Sequence, residues 1–308
     1  MKIINTIKHF KKNLSFSFDY NINNITIKFY SCNFSLVRKK DNYLVNYRCV
    51  NYLTEPSFKF TGFNEFITIN VFIKYDKDFN ILDKLIIPPY LNFLNKKHAF
   101  IGIEDIRLFN YNDNILFTGA ISFDKYRSIN NGIMCGDYFE YLSKKISYVT
   151  CYKNRQTIEK NWVFFENENQ LYTIYQWFPL TICKFINSDK NKQNELVRTK
   201  EYNINILNGM RGSSNGIHYN NEIWFITHKT LCPNRTFHHY FVIFDLNMNL
   251  LRISEPFKFE NYIREYCICF YIENNKIFIG YSTNDNTSIL NIYNKQDLLD
   301  NIVFISNI

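Results

Sequence analysis

Glycine and proline are scarce in this chain, at nine and six of 308 residues. That excludes a collagen-like or low-complexity chain, and it leaves the turns to Asn and Asp, which tolerate left-handed backbone. No apolar run is long enough to cross a bilayer, and the N-terminus MKIINTIKHFKKN lacks the apolar core of a signal peptide. A cytoplasmic chain with no membrane span is therefore expected. No Cys-x-x-Cys pair with a histidine partner occurs, which argues against a zinc site. The eight cysteines are scattered singly except Cys267 and Cys269, whose alternation places both on one strand face. Scattered thiols point to a reducing compartment, and neither a metal nor a cofactor is expected. The formal charge is +8, yet pairs such as Lys11-Lys12 and Lys144-Lys145 never extend into a continuous basic block. Nucleic acid is not an expected partner. Oligomeric state is not legible.

What the chain has is aromatic and β-forming. Thirty Phe and 23 Tyr, with 46% hydrophobic residues, exclude a disordered chain and suit strands. Five times a polar cluster leads into an apolar run, a short Asn-rich turn and a second apolar run. The copies are Leu36 to Arg48, Leu108 to Ala120, Val163 to Gln176, Gly216 to Lys229 and Cys269 to Ser282. Their turns read KDNY, NDNI, NENQ, NNEI and ENNK. After a longer first step the copies recur about every 55 residues, which is propeller spacing.

Further strands are read at Phe66 to Tyr75, Asp83 to Ile87, Ile146 to Tyr152 and Tyr240 to Leu246. The alternation Phe16, Phe18, Tyr20, Ile22, then Ile25, Ile27, Phe29 marks edge strands. Only Gln296 to Ile302 looks helical. The expected fold is all-β: a five-bladed β-propeller of antiparallel four-stranded blades. Residues 1–308 form one domain, with the N-terminal strands closing the last blade.

Each copy enters its blade with polar residues and leaves its hairpin with others. The entries carry Asn33, then Glu104, Asp105 and Arg107, then Lys160 and Asn161, then Arg211 with Ser213 and Ser214; the exits carry Arg48, Gln176, His228, Tyr281 and Asp285. Equivalent strand ends in a propeller crowd around the central axis. Carboxylates would then face several cations in one funnel, a composition suited to a sugar beside a phosphate. Taken alone, Asp105 with Arg107 reads equally as a structural ion pair. Arg211 before Gly212-Ser213-Ser214 is either an anion-binding nest or a turn.

Gly102-Ile103-Glu104-Asp105-Ile106-Arg107, followed by Lys160-Asn161-Trp162 and its hairpin, resembles the β-mannoside phosphorylases and their mannosyltransferase relatives of glycoside hydrolase family 130, which are five-bladed propellers. Asn33 with Arg48, Gly212-Ser213-Ser214 leading to His228, and Tyr281 to Asp285 match the same family in the same order, spanning most of the chain. The resemblance implies that Asp105 is the catalytic acid, protonating the leaving oxygen through a sugar hydroxyl. It implies that Asn33 and Arg48 hold the mannosyl unit and its neighbouring phosphate, with Glu104 and Arg107 also binding substrate, and that Asp245 or Asp285 takes the sugar's hydroxyls. Arg127, Lys160, Arg211 and His228 would bind phosphate.

The expected function is transfer of a mannosyl-type sugar with inversion, by a phosphorylase or a glycosyltransferase. The partners would be a sugar-phosphate or nucleotide-sugar donor and a carbohydrate acceptor. The chain departs from the family pattern at Ile106, where Pro is usual, at Ser213-Ser214-Asn215, which has no Pro, and at Gln176, where Arg is frequent. The missing cation at Gln176 favours transfer over phosphorolysis. The alternative class is a non-catalytic propeller that binds glycans or proteins.

Overall fold

A computed structural model of the chain describes residues 1–54, 58–89, 100–122, 131–143, 148–149, 159–188, 193–231 and 236–305. The five repeated hairpins are all present, and each lies in a different sheet. Their turns show why Asn and Asp were placed there. Asn112-Asp113, Glu168-Asn169 and Asn220-Asn221 all adopt φ between 46° and 62°, the left-handed backbone that a two-residue hairpin needs. Lys40 in the first copy and Asn274 in the fifth do the same.

The first sheet has five strands: Ser17–Ile22, Ile25–Lys39, Asn42–Val50, Thr68–Tyr75 and Ile81–Ile87. The second (Glu104–Tyr111, Asn114–Ser122, Asn131–Asp137, Tyr148–Val149) and the third (Val163–Asn167, Gln170–Trp177, Leu180–Ser188, Gln193–Tyr202) have four each. The fourth sheet is built on Glu222–Leu231 and Thr236–Asp245 and reaches seven by collecting short strands, among them Lys2–Ile3 and Met210–Gly212. The fifth joins Glu265–Glu273, Lys276–Thr283 and Ile289–Asn294 to His9–Asn13 from the far end of the chain. Uniform four-stranded sheets were expected. The first and fourth exceed four because flanking extended segments find free edges to pair with.

Apolar clusters join each sheet to the next. Val37 and Phe72 meet Leu108 and Phe117, Phe109 and Cys135 meet Phe164, and Phe165 and Trp177 meet Phe225 and Phe244. Trp224 and Phe241 meet Phe270 and Ile277, and the fifth sheet, through Cys269 and Phe278, packs on Phe34 and Tyr47 of the first. Side chains also tie the leading strands together. Ser35 Oγ donates to the Ile106 carbonyl at 2.7 Å, and Asn215 Nδ2 donates to that of Leu108 at 2.9 Å.

Three local readings need correction. Cys267 and Cys269 do not share a face: a bulge between them sends Cys267 to the cluster with Phe241 and Cys269 to the one with Phe34. Alternation fails wherever a strand carries an extra residue. A helix, Tyr138–Leu142, was not expected; Asp137 caps it by accepting from the amides of Phe139 and Glu140. The expected strand from Ile146 to Tyr152 appears as Tyr148–Val149, the rest lying outside the described residues. The C-terminal helical turn is Lys295–Asn301.

Candidate active site

The leading strand of the second sheet does not start straight. Its pairing with Asn114–Ser122 slips between Glu104 and Arg107, and Asp105 sits in that bulge with φ +51°. Left-handed backbone at a non-glycine residue persists where its surroundings over-determine it. Here Asn33 Nδ2 donates to Asp105 Oδ1 at 2.9 Å and Arg48 Nη1 to the same oxygen at 3.3 Å. Arg107 Nη1 holds the Asp105 carbonyl at 3.2 Å. The other carboxylate oxygen, Oδ2, accepts no hydrogen bond from the described residues. Gly102 makes this approach possible: it adopts φ +96°, and a Cβ there would lie 2.2 Å from the Thr68 carbonyl oxygen.

The partners of Asp105 are themselves fixed. Asn33 is buried, and Ser282 Oγ donates to its Oδ1, which leaves its Nδ2 for Asp105. Arg48 pairs through Nη2 with Glu104 and reaches Tyr52 Oη and Thr68 Oγ1, both at 3.4 Å. Burial raises the Glu104 carboxyl above the usual range, against the pull of Arg48, with Asp105 and Asp285 adding to the rise. Asp285 is raised as well, first by burial, with Arg48 opposing and Asp105 adding.

The fourth sheet contributes His228, whose Nδ1 lies 2.8 Å from Ser213 Oγ. Burial, then His239 and the nearby Arg211, Arg107 and Lys160, push the imidazole pKa well below its ordinary value, so the ring is neutral at pH 7. Gly212 beside it is dictated by close approach, since a Cβ would come within 2.5 Å of the Asn161 carbonyl oxygen.

Asn33, Arg48, Glu104, Asp105, Arg107, Lys160, Arg211, His228 and Asp285 all line one cavity of about 330 Å³. Of the residues singled out from the sequence, Asp245 stands elsewhere. It closes a turn, accepting from the Asn249 amide and side chain, both at 2.8 Å, at the end of its strand away from the cavity. Arg127 lies outside the described residues. Gln176 is also not among the cavity residues; its amide donates to the Phe178 carbonyl.

Asn161, read from the sequence beside Lys160, lines the same space; sequence reasoning missed Arg264, Tyr266 and Phe237, which line it too. Arg264 and Tyr266 enter the fifth sheet as Glu104 and Arg107 enter the second. Beginning that copy at Cys269 hid them. With Arg264 counted, five cationic side chains (Arg48, Arg107, Lys160, Arg211, Arg264) face three carboxylates (Glu104, Asp105, Asp285) among the described residues. An excess of cations beside one carboxylate with a free oxygen suits a bound anion next to a proton-transfer group. Among the described residues no group of three His, Cys, Asp or Glu side chains is placed to hold a metal ion, and no helix is long and apolar enough to cross a membrane.

No family model matches the sequence, and no curated protein does either. Solved structures match it by shape. Those described next belong to one class, mannoside, mannobiose or mannose phosphorylases and the glycoside hydrolases of the same family. A structure from the GH130 family of mannoside phosphorylases, described with glycoside hydrolases that target β-1,2 mannosidic linkages in Candida mannan, has a TM-score of 0.58 at 11% identity, covering 86% of this chain and 84% of that one. The β-1,2-mannobiose phosphorylase from Listeria innocua has a TM-score of 0.54 at 10% identity, covering 92% and 98%. A mannose phosphorylase from Leishmania mexicana, in complex with phosphate ion, has a TM-score of 0.53 at 9% identity, covering 91% and 88%. The chain has a GH130-like fold.

Proposed function

We propose that this chain is a carbohydrate-active enzyme that transfers a mannosyl-type sugar with inversion to or from a phosphate-bearing group. Its five sheets would be the blades of a propeller, the polar cavity lying at one end of the axis. The cyclic order of the apolar clusters supports that arrangement. The observation that carries the functional reading is Asp105: among the described residues one oxygen is anchored by Asn33 and Arg48, the other accepts no hydrogen bond, and the cavity around it holds five cations to three carboxylates.

In phosphorolysis a phosphate oxygen attacks the anomeric carbon as the glycosidic C–O bond breaks. Asp105, in its acid form, passes its proton from Oδ2 toward the departing oxygen, and the product is a sugar 1-phosphate. A second carboxylate to activate water is not needed, because phosphate arrives anionic. With an activated donor the same cations hold the departing phosphate, and Asp105 takes the proton of the acceptor hydroxyl. Asn33, Arg48, Glu104 and Asp285 would hold the sugar, and Lys160, Arg211, Arg264 and His228 the phosphate. His228 suits that role as a neutral hydrogen-bonding group rather than a further charge. The mannobiose and phosphate-bound mannose phosphorylases that share the fold support this choice of substrates.

A donor screen tests the reading. Purified protein is offered β-mannobiose with phosphate, mannose 1-phosphate, or GDP-mannose, with Asp105→Asn alongside. Phosphate-dependent release of mannose 1-phosphate, lost in the variant, establishes a phosphorylase. Transfer from GDP-mannose without phosphate establishes a transferase. Silence with every donor, while glycan binding persists, leaves a binding protein and sinks the enzyme.

A further inference from the structure

Above the cavity the first sheet is taller than the others. Its strand Ile25–Lys39 runs for fifteen residues, and only the part from Tyr30 onward pairs with Asn42–Val50. The described residues of the following segment, 51–54 and 58–67, bond to one another and lie against this longer part, whose other edge pairs with Ser17–Ile22. Thr61 Oγ1 donates to the Lys28 carbonyl at 2.5 Å, and Gly62 lies so close to Ile27 that a Cβ would come within 2.8 Å of its side chain. This segment is also tied to the cavity wall at two points. Tyr52 Oη accepts from Arg48 at 3.4 Å, and Thr54 Oγ1 donates to the carbonyl of Asn284, the neighbour of Asp285, at 2.5 Å.

What the segment carries is aromatic. Phe58, Phe60 and Phe66 surround Tyr52 with ring centroids 5.4, 6.4 and 5.2 Å away, and they contact one another at 4.9 to 5.5 Å. Phe58 and Phe66 are nonetheless 49% and 41% exposed. Two half-exposed phenylalanine rings packed on Tyr52, which Arg48 joins to the charged cavity, form a rim surface unlike the cavity itself. The cavity recognises hydroxyls and anions; the rim offers only flat apolar faces.

We infer that this aromatic rim is the binding surface for the carbohydrate unit on the far side of the scissile bond. The C–H face of that sugar ring would stack on Phe58 and Phe66 while the reacting sugar occupies the polar cavity. The occupant follows from continuity: Arg48 touches both Asp105 and Tyr52, so one side chain bounds the reacting position and the rim together. A cavity of about 330 Å³ crowded with charged groups is suited to one sugar and its phosphate, which leaves the next ring outside it and against the rim. This inference rests on the proposed function.

Calorimetry with mannose, β-mannobiose and β-mannotriose tests it, using Asp105→Asn so that nothing turns over. The oligosaccharides are expected to bind more tightly than mannose. Adding Phe58→Ala and Phe66→Ala should remove that advantage, roughly tenfold, with mannose affinity unchanged, and Phe58→Tyr should restore part of it. Both positions are half-exposed, so the substitutions leave the fold intact, which a matching melting temperature verifies. Equal affinity for mannose and its oligomers before any rim substitution overturns the rim while leaving the cavity reading standing. Failure of mannose and its oligomers alike to bind overturns both. If the double substitution instead turns a dimer into a monomer in sedimentation, with oligosaccharide affinity unchanged, the patch belongs to a second copy of the chain and the inference fails.

Discussion

Arg107 Nη2 donates to Tyr266 Oη at 2.9 Å, joining residues 159 positions apart across the cavity. The same guanidinium bonds the carbonyls of Ser213 at 2.7 Å and Asp105 at 3.2 Å, and reaches Asn161 Oδ1 at 3.4 Å. It therefore knits the second sheet to the fourth and fifth with its donors engaged by protein groups. Arg107 works as a clasp that shapes the site.

From this clasp follows a first expectation. Arg107→Lys keeps the charge but not the planar fork, and leaves several buried acceptors unpaired. Stability should fall by about 1–3 kcal/mol, the usual cost of leaving buried hydrogen-bonding groups unpaired. Chemical denaturation measures it. A loss under about 1 kcal/mol, within the range of exposed pairs, would show that these contacts carry no weight.

At Asp105 the expectation is the reverse, a large loss of activity with little loss of stability. Asn accepts left-handed backbone at least as readily as Asp and fills the same space. Asp105→Asn should therefore melt near the parent while turnover falls by about 10²–10⁴-fold, the range for removing a general acid or base. Asp105→Val should unfold more easily by about 1–3 kcal/mol, because a β-branched residue is strained at this φ. Activity retained in Asp105→Asn would remove Asp105 from the chemistry.

His239 gives a pH dependence. It is fully buried, neither ring nitrogen has a partner among the described residues, and burial, with His238 and Lys258 adding, lowers its pKa to about 3. Above the ordinary histidine pKa the folded and unfolded states are equally unprotonated, and its contribution is fully present. As the pH falls below about 6.5 the unfolded chain takes up a proton that the folded one refuses, so stability declines. His228, lowered too, has the same sign. Glu104 and Asp285 oppose it, since raised carboxyls become easier to accommodate as the pH falls through their folded values. The decline from His239 alone is on the order of 2 kcal/mol between pH 6.5 and 5. His239→Leu should flatten the fall of melting temperature over that range and be at least as stable at pH 7. An unchanged slope would mean that water or another group satisfies the ring.

Asp245 separates the turn from the site. Asp245→Ala removes the two side-chain bonds to Asn249 and should lower stability by about 1 kcal/mol, as loss of a turn-closing hydrogen bond does. Turnover should stay unchanged. A selective loss of sugar affinity would return Asp245 to the substrate.

The hairpins were legible because two-residue turns demand φ above zero at consecutive positions, and Asn or Asp at both is a strong signal where glycine is rare. Convergence of Asn33, Arg48, Asp105, Lys160 and His228 was legible from their equivalent places in the repeat. Asp245 could have been excluded by following strand direction. Glu222–Leu231 runs through His228 toward the cavity, so Thr236–Asp245, its antiparallel neighbour, must end away from it. Arg264 and Tyr266 were obscured by the bulge at Cys267–Cys269, which broke the alternation that marks a strand's start. The helix at Tyr138 spans five residues, too few for any period to show, though Asp137 three residues before Glu140 marks its start. The bulge at Asp105 left no trace in the sequence, because it depends on Asn33 and Arg48, which lie far away along the chain.

The pairing of His9–Asn13 with Ile289–Asn294 sets the order of events during synthesis. A ribosome that has made the first four hairpins has released a strand whose only described partner on that edge does not yet exist. That strand must wait, without this partner, while the nearly 280 residues between the two are translated. The final contact couples residues as far apart as Asn5 and Tyr293, so the last step of folding is a long-range closure, slow by nature and open to competition from another nascent chain offering the same strand.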